Sequence, residues 1–276
     1  MKIIRSIKKI RSIVKYGGYN EINVSKINYP DILKGKSVLV TGGSSGIGYQ
    51  IAKKCGECGA KVIITGRNIE KLKKAANEIK YCEYIQWDIK EIDVLEEKLD
   101  EVNRLTEGQL DCLINNAGIQ PREFFPNVSE EEWQSIYETN SKGAFFLTQE
   151  LCKRWLIKRL SGAYRKIVFI DSQGGFVGAT YPYRMVKWDI RGLTQGLGAK
   201  LAPNNILVNA IAPGIVKTEM QQFSLDQGHN TFCDQNLLNR VSLPEEVAEL
   251  AVFILSDACN FMVGQTIVID GGYSIK

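Results

Sequence analysis

Two alternating patterns constrain the fold of this chain more than any other feature. Runs dense in β-branched residues recur at 37–42 (SVLVTG), 61–66 (KVIITG), 83–88 (EYIQWD), 112–118 (CLINNAG), 166–172 (KIVFIDS), 206–214 (ILVNAIAPG) and 266–270 (TIVID). Helix-length segments fall between them, near 47–58, 68–79, 91–106, 130–155, 183–201 and 244–256. Nearly continuous apolar strands are covered on both faces, and regular strand–helix alternation makes a parallel sheet. The pattern predicts an α/β fold, one doubly wound parallel sheet of about seven strands with helices on both faces. No connector is long enough for a domain boundary, so residues 35–276 read as a single domain.

Residues 1–34 stand apart as a basic amphipathic extension and connector. The stretch MKIIRSIKKIRSIVK at 1–15 carries six basic residues and no acid, and Ile3, Ile7, Ile10 and Val14 repeat at helical spacing. Such a helix fits peripheral contact with a membrane surface or an acidic partner. The plainer reading is a helix packed on its own or a neighbouring subunit. It lacks the apolar core and cleavage site of a secretory signal. No apolar run reaches the ~18–20 residues of a transmembrane helix.

Composition removes several kinds of chemistry. The only histidine is His229, which argues against His-based catalysis and His-ligated metals. Seven scattered cysteines argue against a disulfide framework and for a reducing, cytoplasmic compartment. Cys55 and Cys58 form a C-x-x-C without a second Cys/His pair nearby, so they read as packing residues and no metal is expected. The net charge of +4 is mild, and no nucleic-acid partner is expected.

The first strand runs into TGGSSGIG at 41–48 and then into a helix. In that context glycines allow a tight turn and close backbone approach, and the helix N-terminus offers N–H groups to a diphosphate. The second strand ends in Gly66-Arg67-Asn68, where an acidic residue would favour NAD(H). Arg67 has the planar fork that grips a 2′-phosphate, so NADP(H) is favoured over NAD(H). The alternative for Arg67 is a solvated strand end.

Two Tyr-x-x-x-Lys pairs occur, Tyr49/Lys53 and Tyr183/Lys187. Each pair is one helical turn apart and shares a face, and the spacing alone does not single either out.

The motifs together resemble the short-chain dehydrogenase/reductase family, and within it the 3-oxoacyl-carrier-protein reductases, over roughly residues 35–276. The resemblance is carried by TGGSSGIG, Asp88, NNAG (115–118), Asn140, Ser172, Tyr183-x-x-x-Lys187, NAIAPGIVKTEM (209–220) and IDGGY (269–273), in that order. It implies a Rossmann-type fold and an EC 1.1.1-type oxidoreductase that reduces a ketone or aldehyde, reversibly. It implies a catalytic set of Asn140, Ser172, Tyr183 and Lys187, with Tyr181 a pocket wall and Tyr49 outside the chemistry. It also implies that Gly42, Ser44, Ser45, Gly46, Ile47 and Gly48 cradle the diphosphate and that Arg67 meets the 2′-phosphate. Asp88 would meet the adenine edge, and Asn115, Ala117 and Gly118 the adenosine-side backbone. Pro213, Gly214, Ile215 and Thr218 would border the nicotinamide, and Tyr183 and Lys187 would also touch cofactor. Asp88 as a helix N-cap and Asn115 as a strand tie remain open alternatives.

A free phenol titrates near pH 10, so a tyrosine working at neutral pH needs help. A cation ~4 Å away supplies ~4 kcal/mol at an effective dielectric near 20, enough for about three units. Lys187 would be that cation and would hold the ribose. Ser172 would orient the substrate oxygen, and Asn140 would hold a water that returns the proton.

The sequence departs from the family at Arg184, Met185, Val186 and Trp188, where small residues are usual, and at Asp171. Arg184 and Trp188 are one turn apart on a face other than that of the pair. That helix commonly builds the interface of family dimers or tetramers, so their bulk bears on the homo-oligomer. The segment 219–240, rich in Gln, Asn and Ser, fits a polar or sugar-like ketone. Arg122, Arg184 and Arg240 fit a 3-oxoacyl thioester on an acidic carrier. Two other readings are a catalytically silent NADP(H)-binding sensor or scaffold, and a nucleotide-sugar epimerase or dehydratase. The intact catalytic set weighs against the first, and the T-G-x-x-x-G-x-G spacing and missing substrate-binding portion weigh against the second.

Overall fold

The computed structural model describes residues 29–158, 163–218 and 232–276. The basic segment 1–15, His229 and most of the polar stretch 219–240 lie outside the described residues. All seven expected strands form: β1 (Ser37–Thr41), β2 (Lys61–Gly66), β3 (Cys82–Gln86), β4 (Cys112–Asn115), β5 (Arg165–Ile170), β6 (Ile206–Pro213) and β7 (Thr266–Ile269). They make one sheet in the order β3-β2-β1-β4-β5-β6-β7, with every pairing parallel.

The helices are α1 (Gly46–Glu57), α2 (Ile69–Glu78), α3 (Leu95–Leu105), α4 (Glu130–Tyr137), α5 (Gly143–Ile157), α6 (Pro182–Leu201) and α7 (Pro244–Leu255). Side chains alternate along each strand, and both sets find a core. Val38 and Val40 of β1 pack with Ile51 of α1, Leu72 of α2 and Val252 of α7. Leu39 points the other way, among Leu99 of α3, Leu147 of α5 and Ile190 of α6. Every residue of the central strands β1, β4, β5 and β6 is buried, which is why they read as nearly continuous apolar runs. Edge strand β3 is only partly covered, with Ile85 buried and Glu83 and Gln86 exposed.

Two expected helices begin or run differently. The segment 91–106 opens with a 3-10 turn at Ile92–Val94 before α3. The segment 130–155 is split by a π turn, Glu138–Lys142, between α4 and α5. Cys55 and Cys58 are buried in the core at the end of α1, and all seven cysteines are free. No helix among the described residues is long and apolar enough to cross a membrane.

Arg165 and Lys166, consecutive at the start of β5, leave on opposite faces and each closes a helix. The Lys166 ammonium, 1% exposed, donates to the carbonyls of Ile254, Ser256 and Cys259 at 3.0, 2.5 and 2.9 Å, at the end of α7. The Arg165 guanidinium donates to the carbonyls of Trp155 and Lys158, both at 2.8 Å, at the end of α5. Terminal helix carbonyls have no intrahelical partner and carry partial negative charge, so both cations are compensated where they are buried.

Candidate active site

The strand order reverses between β1 and β4, and in such sheets ligands bind in the crevice beyond the carboxyl ends of the strands at that point. Here a side-chain lattice holds the two loops that flank it. The Thr41 hydroxyl donates to the Ile114 carbonyl at 3.3 Å and accepts from the N–H groups of Asn116 and Ala117, both at 3.0 Å. The Asn116 amide donates back to the carbonyls of Thr41 and Gly42, at 2.9 and 3.1 Å. Gly42 takes φ +65°, and a Cβ on Gly48 would run into the Asn116 amide and the Gly42 carbonyl. Glycine is therefore required there by φ and by space.

A cavity of 440 Å³ opens above this lattice. Gly42, Ser44, Ser45, Gly46 and Ile47 form its floor; Arg67 and Asp88 come from the ends of β2 and β3. Ala117 and Gly118 follow β4, and Asn140, Tyr183, Lys187 and Thr218 close the far end. The cradle suits a diphosphate: Ser45, the N-cap of α1, makes no side-chain cap bond, and the first turn has no acid. The N–H groups of that turn and the positive helix end are thus left for an anion.

The remaining expected residues lie off the cavity lining. Gly48 sits beneath the floor. Asn115 is 5% exposed and its amide donates to the Thr148 hydroxyl at 2.9 Å; it ties β4 to α5, and the neighbouring Asn116 takes the lining position. Pro213 ends β6, followed by Gly214 and Ile215. Asp88 is not a helix N-cap: its carboxylate accepts from the Lys90 N–H at 3.1 Å, whereas Glu91 precedes the 3-10 turn. Sequence reasoning missed Asn116, Asp171 and Lys71 as lining residues. Lys71 is four positions after Arg67, with Asn68 between them as the N-cap of α2, bonded to the Lys71 N–H at 2.9 Å.

At the far end, Tyr183 and Lys187 share one face of α6. The Lys187 ammonium is 5.4 Å from the centroid of the Tyr183 ring and donates to the Ile170 carbonyl at 2.8 Å. Asn140 lies in the π turn, where the Gly143 N–H reaches back to the Glu138 carbonyl. Its amide is held by one residue: it donates to the Ile119 carbonyl and accepts from the Ile119 N–H, both at 2.8 Å. Ser172 follows the lining residue Asp171, and its hydroxyl oxygen accepts from the Gly174 N–H at 3.1 Å. The second Tyr-x-x-x-Lys pair is elsewhere. Tyr49 donates to Glu78 at 2.7 Å, and burial with that carboxylate pushes its phenol up to about 12.

The bulky residues of α6 face the loop between Ser172 and Tyr183. Arg184 donates to the Gly178 carbonyl at 3.0 Å and to the Tyr273 hydroxyl at 3.3 Å, and its guanidinium lies 5.3 Å from the Tyr181 ring centroid. Trp188 donates to the Val177 carbonyl at 3.0 Å, and Arg191 to that of Gly175 at 3.4 Å. Arg191 also stacks on Phe176 and Trp188, 4.3 and 5.2 Å from their centroids. Three side chains at i, i+4 and i+7 thus clamp three loop carbonyls. Tyr181 meets Phe124 edge-on, with centroids 4.9 Å apart. Beside it an apolar recess of 730 Å³ is walled by Phe125, Val128, Trp133, Tyr181 and Met185.

The two ends of the stretch after Thr218 are also fastened. The Lys217 N–H donates to the Ser242 carbonyl at 2.9 Å, and the Ser242 N–H to that of Ile215 at 2.8 Å. Arg240 pairs with Glu246 through two nitrogens, at 2.8 and 2.7 Å.

A family profile described as enoyl-(acyl carrier protein) reductase matches residues 42–274. The chain belongs to the short-chain dehydrogenase/reductase family. It is 34% identical over 247 residues to the 3-oxoacyl-[acyl-carrier-protein] reductase of Aquifex aeolicus, covering 87% of this chain and 98% of that one. It is 33% identical over 248 residues to the 5-keto-D-gluconate 5-reductase of Escherichia coli, covering 87% and 96%. Among solved structures it is similar to a 3-ketoacyl-(acyl-carrier-protein) reductase of Brucella melitensis complexed with NADH. That match has a TM-score of 0.80 and 27% identity, and covers 88% of this chain and 99% of that one. As a short-chain dehydrogenase/reductase, the protein is an oxidoreductase acting between C=O and CH–OH, of a family that binds a nicotinamide cofactor.

Proposed function

We propose that the protein is an NADP(H)-dependent carbonyl reductase in which Asn140, Ser172, Tyr183 and Lys187 do the work. One observation carries the reading: the Tyr183–Lys187 pair closes the same cavity whose floor is the glycine turn. Bound there, a nicotinamide cofactor supplies the hydride. Tyr183 would give the proton to the substrate oxygen, with Lys187 stabilising the phenolate left behind. The Ser172 oxygen is held by the Gly174 N–H, which leaves its hydrogen to donate to the substrate. Because the Asn140 amide is committed to Ile119, this residue would act through its main chain. The π turn draws carbonyls out of the i→i−4 ladder, and one of them would hold the water of a proton relay.

NADP(H) is supported over NAD(H) by Arg67, which lines the adenosine end together with Lys71; two cations there suit a 2′-phosphate. For the substrate, the recess walled by Phe125, Trp133, Tyr181 and Met185 favours a 3-oxoacyl thioester over a sugar-like ketone. Arg184 and Arg240 do not support contact with an acidic carrier, since Gly178, Tyr273 and Glu246 already take them. The test is NADPH oxidation with a 3-oxoacyl thioester and with 5-keto-D-gluconate, for wild type and Tyr183→Phe. Thioester turnover, lost by 10²- to 10⁴-fold in the variant with NADPH binding intact, is expected. Full activity in Tyr183→Phe would remove the assignment, and preference for the gluconate would reverse the substrate reading.

A further inference from the structure

The cavity wall contains a carboxyl that the scheme above does not use. Asp171 lies between β5 and Ser172, is 3% exposed and lines the cavity with Tyr183 and Lys187. Its N–H is bonded to the Ile211 carbonyl at 2.7 Å, which fixes the residue in place. Neither carboxyl oxygen has a well-formed hydrogen-bond partner among the described residues. Such a group is costly to bury, since desolvation penalises its charged form.

The neighbours that face it are few. From α6 come Lys187, whose ammonium rests on the carbonyl just before Asp171, and Arg191. The turn Gln173–Phe176 and strand β6 bring no titratable side chain. Gly175 closes over the carboxyl so tightly that a Cβ there would lie 3.0 Å from an Asp171 oxygen. The carboxyl is thus packed on that side by backbone, and the compensating charge that acts on it most is the one Tyr183 depends on.

We propose that Asp171 is a positioning residue for the Tyr183–Lys187 pair: a buried carboxyl whose charge state sets how much of the Lys187 charge acts on the phenol. The proposal rests on the redox reading of this site. When neutral, Asp171 leaves the ammonium uncompensated and the phenolate formed during reduction is stabilised. When ionised, it offsets the ammonium and the same phenolate is stabilised less. Burial raises the carboxyl to about 7, against the pull of Lys187, a nearby Ser172 N–H and Arg191, so the change falls within the working pH range.

Two measurements test this. The first needs no substrate: the infrared band of the protonated Asp171 carboxyl, identified by its loss in Asp171→Asn, is followed against pH. Its midpoint is expected near neutrality, and about one unit higher in Lys187→Met, where the cation is gone. An unmoved midpoint, or a carboxylate at every pH, overturns the coupling. The second is the pH profile of kcat with a 3-oxoacyl thioester as probe. Wild-type kcat is expected to fall roughly three- to tenfold as pH rises through neutrality, with KM little changed. Asp171→Asn, and Asp171→Ser if the amide folds poorly, should lack that fall. Superimposable profiles overturn the proposal. Should wild type reduce neither ketone of the panel, the redox reading fails while the infrared titration still decides the coupling.

Discussion

The Lys187 ammonium donates a 2.8 Å hydrogen bond to the Ile170 carbonyl, so the cation beside Tyr183 is anchored to the end of β5. Its position is set by the sheet as well as by its own helix. Lys187→Met is expected to lower kcat by about 10²- to 10³-fold. Lys187→Arg should not rescue it, because a planar fork cannot occupy the place of a compact ammonium. Single-turnover rates at saturating NADPH measure both.

Trp188 and Arg191 hold the loop that begins at Ser172. Trp188→Ala removes the bond to Val177 and one side of the Arg191 stack. The expected result is a several-fold rise in KM for the ketone and about 1–2 kcal/mol of lost stability. NADPH affinity, set at the other end of the cavity, should not change. Ketone kinetics beside cofactor titration separate the two effects.

Arg67→Ala removes a charge-assisted grip worth about 1.5–3 kcal/mol. The dissociation constant for NADPH should therefore rise roughly ten- to a hundredfold, while that for NADH stays within about twofold. Equal losses for both cofactors would show that Arg67 does not read the 2′-phosphate.

Lys166→Met leaves three buried carbonyls at the end of α7 without their donor. About 3 kcal/mol of stability should be lost, even though the methionine fits the space. Urea unfolding of the two proteins at one pH gives the difference directly.

Asp171 makes stability depend on pH in a predictable direction. Its carboxyl is raised to about 7 in the folded chain, so between the ordinary carboxylate range and neutrality the folded state keeps a proton that the unfolded state has lost. Stability from this group therefore falls as pH rises across that window and is level above it. The total is up to roughly 4 kcal/mol. Asp171→Asn should lose the slope and be more stable than wild type at alkaline pH. Denaturant melts across the window, compared between the two proteins, isolate this residue from the others that titrate.

The order and type of the strands were legible because a strand buried on both faces leaves a continuous β-branched run, as in Ser37–Thr41. The glycine turn was legible for a similar reason, since few residues satisfy its backbone; the Tyr183–Lys187 pair shares its spacing with Tyr49/Lys53 and was marked only by the family resemblance. Other features left no such mark. Nothing in the sequence of Glu138–Lys142 distinguishes a π turn from an α-helix, and its Asn140 meets Ile119 across 21 positions, a pairing that local spacing does not reveal. Helical spacing placed Arg184 and Trp188 on their own face but gave no account of their reach. Long side chains bend back, and the structure shows both closing on a loop of their own subunit. Asn115 and Asn116 differ by one strand position, which decides between a tie in the core and the cavity wall.

The clasp between Ile215–Lys217 and Ser242, with Arg240 locked to Glu246 just beyond, holds both ends of the stretch between them at one place. A stretch whose two ends are pinned side by side can change length or composition at small entropic cost to the rest of the chain. The sheet, the glycine turn and the Tyr183–Lys187 pair need not register such a change. A change confined to residues 219–231 would also leave in place the bonds that Asn236 makes with Arg240 and Leu237 with Gly271.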